Sequence, residues 1–202
     1  MHADQRNSPM YLFNRKWLSI FIFCSLLSGC AATAITTVLV TSVDMALDRR
    51  TVGTYVDDNS VEVKIRRAIN KDPQIGKNVH ISVTTMNGIV LLTGEAEHHD
   101  QIRRAIGISR GYTEARHVVN QISLTDKAKI SGRTKDSWIT TKTKAAIAKA
   151  RGVKARQIKV VTERGNVFLL GMVTTAEADK AVDAARGVRG VNRITKVFEY
   201  LP

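Results

Sequence analysis

Cysteine is nearly absent: two residues, Cys24 and Cys30, stand in a chain of 202. Cys24 lies inside an apolar run and Cys30 follows its end, so the rest of the chain has no thiol for a disulfide or a thiolate metal site. Stability has to come from packing. Acid is scarce over one long stretch, with none between Asp136 and Glu163. There is no glycine-rich phosphate loop, and no catalytic constellation can be assembled. His80, His98, His99 and His117 have no cysteine or acid cluster at metal-binding spacing, which places them at the surface or on sheet edges. Asp57 and Asp58 precede a helical pattern and read as a cap and dipole complement, not as an acid–base pair. The expectation is a protein without enzymatic activity, cofactor or metal.

What is present points to the cell envelope. A chain with 44% hydrophobic and 24% charged residues is globular, with one or two domains. Its net charge of +13 favours polyanionic partners, either nucleic acid or an acidic membrane surface. The N-terminus separates these two. Arg15 and Lys16 precede the apolar run Trp17 to Leu27, "WLSIFIFCSLL", which leads into "LSGC" at Leu27 to Cys30. Basic, apolar and small segments in that order make a secretory signal peptide. "LSGC" resembles the bacterial lipobox, which implies acylation of Cys30 and cleavage just before it. Residues 1–29 are then the signal peptide, with Met10 a second candidate start. A retained transmembrane helix is the competing reading, because no charge lies between Lys16 and Asp44. Ser, Gly and Thr interrupt that span, and the lipobox falls where the apolar run stops. Export makes nucleic acid an unexpected partner.

Internal repeats set the architecture. "VEVKIRRAI" from Val61 aligns with "ITTKTKAAI" from Ile139, "ISVTTMNGIVLLTGEA" from Ile81 with "IKVVTERGNVFLLGMV" from Ile158, and "AIGISRGYTEARHV" from Ala105 with "AVDAARGVRGVNRI" from Ala181. Each copy opens with a helix whose apolar residues recur at helical spacing, such as Val61, Ile65, Ala68 and Ile69. Alternating strands flank a turn, where Asn87-Gly88 supplies the positive φ of a two-residue hairpin. In the second copy Arg164-Gly165 takes its place, which leaves that turn's type open. A second helix and a last strand complete the order αββαβ. The fold class is α+β, with helices on one face of each small sheet.

The "NGxVxLxG" hairpin, the Ala-rich second helix, the "GVxGVNxI" return and "RRTVGTYVDD" from Arg49 resemble the BON domain and, over nearly the whole mature chain, dual BON-domain lipoproteins of the outer membrane. The resemblance divides the chain into a signal peptide (1–29), a lipidated N-terminus and linker (30–56), a first BON domain (57–125), a linker (126–135) and a second BON domain (136–202). With Ala31 rather than Asp after the cysteine, it implies the periplasmic leaflet of the outer membrane. It also implies a role in envelope integrity, with recruitment to division sites. Thr143 departs from the pattern, standing where an apolar residue would pack better.

Charge separates the two copies. Residues 51–125 hold 9 Lys and Arg against 8 Asp and Glu, whereas residues 126–202 hold 17 against 7. On the second copy's first helix, Ile139, Thr143, Ala146, Ile147 and Ala150 fall on one side. Trp138, Lys142, Ala145 and Lys149 form a neighbouring stripe. Ser60 stands at the position of Trp138 in the first copy, so the fold does not demand an aromatic there. An indole beside lysines suits a membrane interface. The expected site for anionic phospholipid, phosphatidylglycerol or cardiolipin, is therefore Trp138 with Arg133, Lys135, Lys142, Lys144, Ala145 and Lys149. Two plainer readings stay open: a solvated lysine face, or an indole packed against the first domain that fixes their orientation. The competing function is a protein adaptor, whose basic helix docks an acidic surface of an envelope-assembly or cell-wall-remodelling machine.

Overall fold

The computed structural model describes residues 48–75, 79–125 and 133–202. Cys30, the signal-peptide segment and most of the expected linker between the copies lie outside them. Helix α1 (Val52–Lys71) begins where the Thr51 hydroxyl accepts the Thr54 N–H at 3.1 Å, and it buries Val61, Ile65 and Ile69 on one face. It ends at Asp72, whose Oδ1 accepts the N–H groups of Gln74 and Ile75 ahead of strand β1. The helix thus starts inside the stretch read from sequence as linker. Asp58 is not a cap: it sits buried within α1, and its carboxylate accepts Asn87 N–H at 2.6 Å and Gly88 N–H at 2.8 Å. No local pattern around Asp58 reveals this, because the bonded partners lie 29 and 30 residues away.

Strands β1 (His80–Met86) and β2 (Ile89–Ala96) form an antiparallel hairpin, helix α2 (His99–Arg110) crosses over, and β3 (His117–Leu124) pairs parallel to β2. The second copy repeats this with α3 (Arg133–Lys149), β4 (Ile158–Glu163), β5 (Asn166–Val173), α4 (Thr175–Arg186) and β6 (Arg193–Tyr200). Each copy has a three-stranded sheet, in the orders β1-β2-β3 and β4-β5-β6. Both hairpin turns carry two positive φ values, 50° and 72° at Asn87-Gly88 and 52° and 75° at Arg164-Gly165. Arginine tolerates the left-handed region because the Asp136 carboxylate, in α3, accepts the N–H groups of Arg164 (2.7 Å) and Gly165 (2.8 Å). The Asp58 clamp is repeated in the second copy. At one point on each central strand the backbone passes so close to its neighbour that no side chain fits. A Cβ on Gly94 would run into the His80 carbonyl, and one on Gly171 into that of Gln157.

The central strands are buried on both faces, and two different surfaces cover them. Val90, Leu92 and Ala96 of β2 pack with α1 and α2, as Val167, Leu169 and Val173 of β5 pack with α3 and α4. The opposite faces meet each other: Met86 and Leu91 of the first copy cluster with Phe168, Leu170 and Val197 of the second. The order of layers is helix, sheet, sheet, helix. Burial of such side chains contributes about 1.5–3 kcal/mol each. At the rim the contacts are reciprocal, because each copy's turn end meets the other's strand ends. Asn87 Nδ2 and Arg116 reach Glu199 at 2.7 and 3.0 Å, while Arg164 reaches Glu95 at 2.9 Å and Thr125 at 3.2 Å. Lys159 crosses the seam to donate to the Thr85 carbonyl (2.7 Å), with Glu62 at 3.6 Å, and burial lowers its pKa.

Candidate membrane-docking face

Helix α3 is oriented from both ends of its buried side. Asp136 binds the β4–β5 turn, while Ile139 and Ile147 are fully enclosed and fill the core. Thr143 is enclosed with them, and its hydroxyl finds no hydrogen-bond partner among the described residues. The sequence pattern identified this position correctly as one an apolar residue would fill better. With that side committed, Trp138 is turned outward and 47% exposed. It does not pack into the seam between the two sheets, which Phe168 and its neighbours occupy. Lys142 lies one turn on, its Nζ 5.8 Å from the indole centroid, within reach of a cation–π interaction.

Lys135, Ala145 and Lys149 are likewise exposed, on the side of α3 that carries Trp138 and Lys142, while Lys144 is exposed about 120° round the helix from the indole. Arg133 begins the helix, and its side chain lies outside the described set. The turn before β6 closes against the first turn of α3. A Cβ on Gly190 would touch Ile139 at 3.2 Å and Lys135 Cε at 3.7 Å. The exposed basic surface continues past the helix through Arg151, Lys154 and Arg156. Ser60, the counterpart of Trp138, is exposed on α1. No group of three or more His, Cys, Asp and Glu that could hold a metal occurs among the described residues.

Sequence reasoning missed the residues that join the copies. Arg49, just after the tether, makes a fork-to-fork pair with Glu177 of α4 (2.8 Å to each oxygen) and donates to the Met172 carbonyl at 2.7 Å. That pair, together with the Thr174 capping bonds, holds the Glu177 pKa down at about 2. Arg50 is buried between Asp48 and Asp58, each at 2.6 Å, with its guanidinium 4.8 Å from the Tyr55 ring centroid. The recurrence of Asp58 and Asp136 at matching positions was the one available signal of the turn clamps.

The BON-domain family model matches residues 57–126 and 135–202, more than half of the chain. Among curated proteins, the chain is 36% identical to outer membrane lipoprotein DolP of Haemophilus influenzae, over 95% of this chain and 100% of that one. It is 37% identical to a 21 kDa hemolysin of Actinobacillus pleuropneumoniae, over 77% of this chain and 80% of that one. Identity to osmotically-inducible protein Y of Escherichia coli is 29%, over 75% and 76%. With two BON modules in tandem and a full-length relative above 30% identity, the chain belongs to the BON-domain family and is an outer-membrane lipoprotein of it.

Proposed function

We propose that the second BON domain binds anionic phospholipid through Trp138 and the lysines of α3, and that a lipid anchor on Cys30 holds the protein at the membrane where it does so. The observation that carries this reading is the half-exposed indole on a helix whose core face is already complete. Trp138 stabilises nothing in the core that Ser60 does not replace in the first copy, whereas an indole at headgroup depth with cations around it gains on transfer to an anionic interface. Each Lys or Arg near such a surface contributes on the order of 1 kcal/mol. An anchored protein meets its own bilayer at high effective concentration. Weak docking then suffices. We assign the protein a role in envelope integrity, at division sites where anionic lipids concentrate.

The test uses the chain from Ala31 onward, in which Trp138 is the sole tryptophan. Wild type should pellet with phosphatidylglycerol or cardiolipin vesicles and not with zwitterionic ones, with a blue shift of tryptophan emission. Trp138→Glu should lose both. Wild type that stays in the supernatant at low salt would exclude lipid docking and leave the basic helix to a protein partner.

A further inference from the structure

The corner where the end of α3 meets α4 is built differently from its counterpart in the first copy. There the corner is closed from within: Asp72, just past α1, pairs with Arg104 of α2, its Oδ2 2.8 Å from Nε. The self-alignment that sets Ile69 against Ile147 and Ala105 against Ala181 puts Ala150 in place of Asp72 and Lys180 in place of Arg104. The base persists and its acid is gone. Lys180 stands over the connection that follows α3, so close to Gly152 that a Cβ there would lie 2.9 Å from Nζ, and Gly152 takes a φ of 79°. A side chain at that point would push the ammonium away.

The charges that remain at this corner are of one sign. Lys149 ends α3 and Arg151 precedes Gly152; both are exposed, as are Lys154 and Lys180, and none of these four has an ion pair among the described residues. The acids of α4 are committed or turned away. Glu177 is held by Arg49, Asp183 pairs with Arg186 at 3.0 Å, and Asp179 projects about 100° round the helix from Lys180, into a groove shared with Arg193 and Lys196 of β6. The carbonyl end of α3 supplies about half a negative elementary charge, which the four cations exceed.

We propose that this corner binds headgroup phosphates of the bilayer that carries the Cys30 anchor, so that the membrane-docking face spans α3 and α4. The inference rests on the lipid reading of Trp138 and extends it to Arg151 and Lys180. A phosphate oxygen beside Lys180 takes the place that the Asp72 carboxylate fills beside Arg104. Two observations favour a bilayer as its source. Lys149 belongs to both the corner and the α3 stripe, and the helix rises about 16 Å between Trp138 and Lys149, a span that one free phosphate does not bridge. The chain from Cys30 enters the described structure at Asp48, where Arg49 fastens it to Gln157 and to Glu177, one turn of α4 before Lys180. The anchored segment arrives beside the corner.

The test measures binding of the whole chain from Ala31 onward to phosphatidylglycerol vesicles at low salt. Lys180→Gln and Arg151→Gln should each raise the dissociation constant about fivefold. Arg67→Gln with Lys71→Gln removes two exposed charges from α1, in the opposite outer layer, and should change it by less than about twofold. Ala150→Asp keeps Lys180 but supplies the acid that Arg104 has, and should weaken binding several-fold in a chain whose thermal midpoint is not lowered. Binding that Lys180→Gln and Arg151→Gln leave intact, or an equal loss in the α1 pair, would overturn the corner site while loss of binding in Trp138→Glu still upheld the indole. Wild type that does not bind these vesicles would end both readings.

Discussion

Arg49 and Glu177 face each other fork to fork at 2.8 Å across 128 residues of sequence, joining the segment that leads from the tether to the first turn of the second domain's α4. The Glu177 carboxyl also accepts the Thr174 N–H, so one side chain closes a helix cap and holds the incoming chain.

That pair gives stability a pH dependence of known sign. Pairing with Arg49 lowers the Glu177 pKa from 4.5 to about 2, so the folded state binds fewer protons there than the unfolded state. The contribution is complete above the unfolded value and is lost as pH falls toward the folded one. Because the pair is partly solvated, the loss amounts to about 1–2 kcal/mol. Urea midpoints from about pH 5 to about pH 2.5 should fall less steeply in Glu177→Gln than in wild type. Parallel slopes would count against the pairing.

Thr143→Val removes a hydroxyl that has no partner among the described residues and keeps the side chain's shape, in a slot that Ile65 fills in the first copy. The substitution should stabilise the protein by about 1 kcal/mol, read as a raised thermal midpoint. A lowered midpoint would mean that the hydroxyl has a use the geometry does not reveal.

Asp136→Ala should cost about 2–4 kcal/mol, because it strands the Arg164 and Gly165 amides and leaves Arg164 at a φ of 52° without support. Asp57→Ala, on an exposed neighbour of the equivalent Asp58, should stay within about 0.5 kcal/mol. Equal effects at the two sites would refute the turn-clamp role.

Phe168→Ala empties the centre of the seam between the sheets and should cost about 3–5 kcal/mol. Faster amide exchange should appear at Leu91, across the seam, as well as in β5. Loss confined to the second domain would show that the two sheets hold each other less firmly than their packing indicates.

Trp138→Glu should change the unfolding midpoint by no more than about 0.5 kcal/mol equivalent, since the indole is 47% exposed. The same substitution abolishes vesicle binding if the lipid reading holds. Large destabilisation would return Trp138 to a packing role.

Local chemistry alone made much of the molecule legible. The two copies, the αββαβ order, the helical faces of Val61 to Ile69, the Asn87-Gly88 turn and the odd placement of Trp138 all follow from periodicity, turn chemistry and self-alignment. These are properties of neighbours in the chain. Tertiary structure decided what covers the second faces of β2 and β5, because a continuous apolar run states that both faces are buried without naming the surface that buries them. It likewise decided the Asp58 and Asp136 clamps and the Arg49–Glu177 pair. Each depends on groups many residues apart meeting at hydrogen-bond distance, and no spacing along the chain encodes such a meeting.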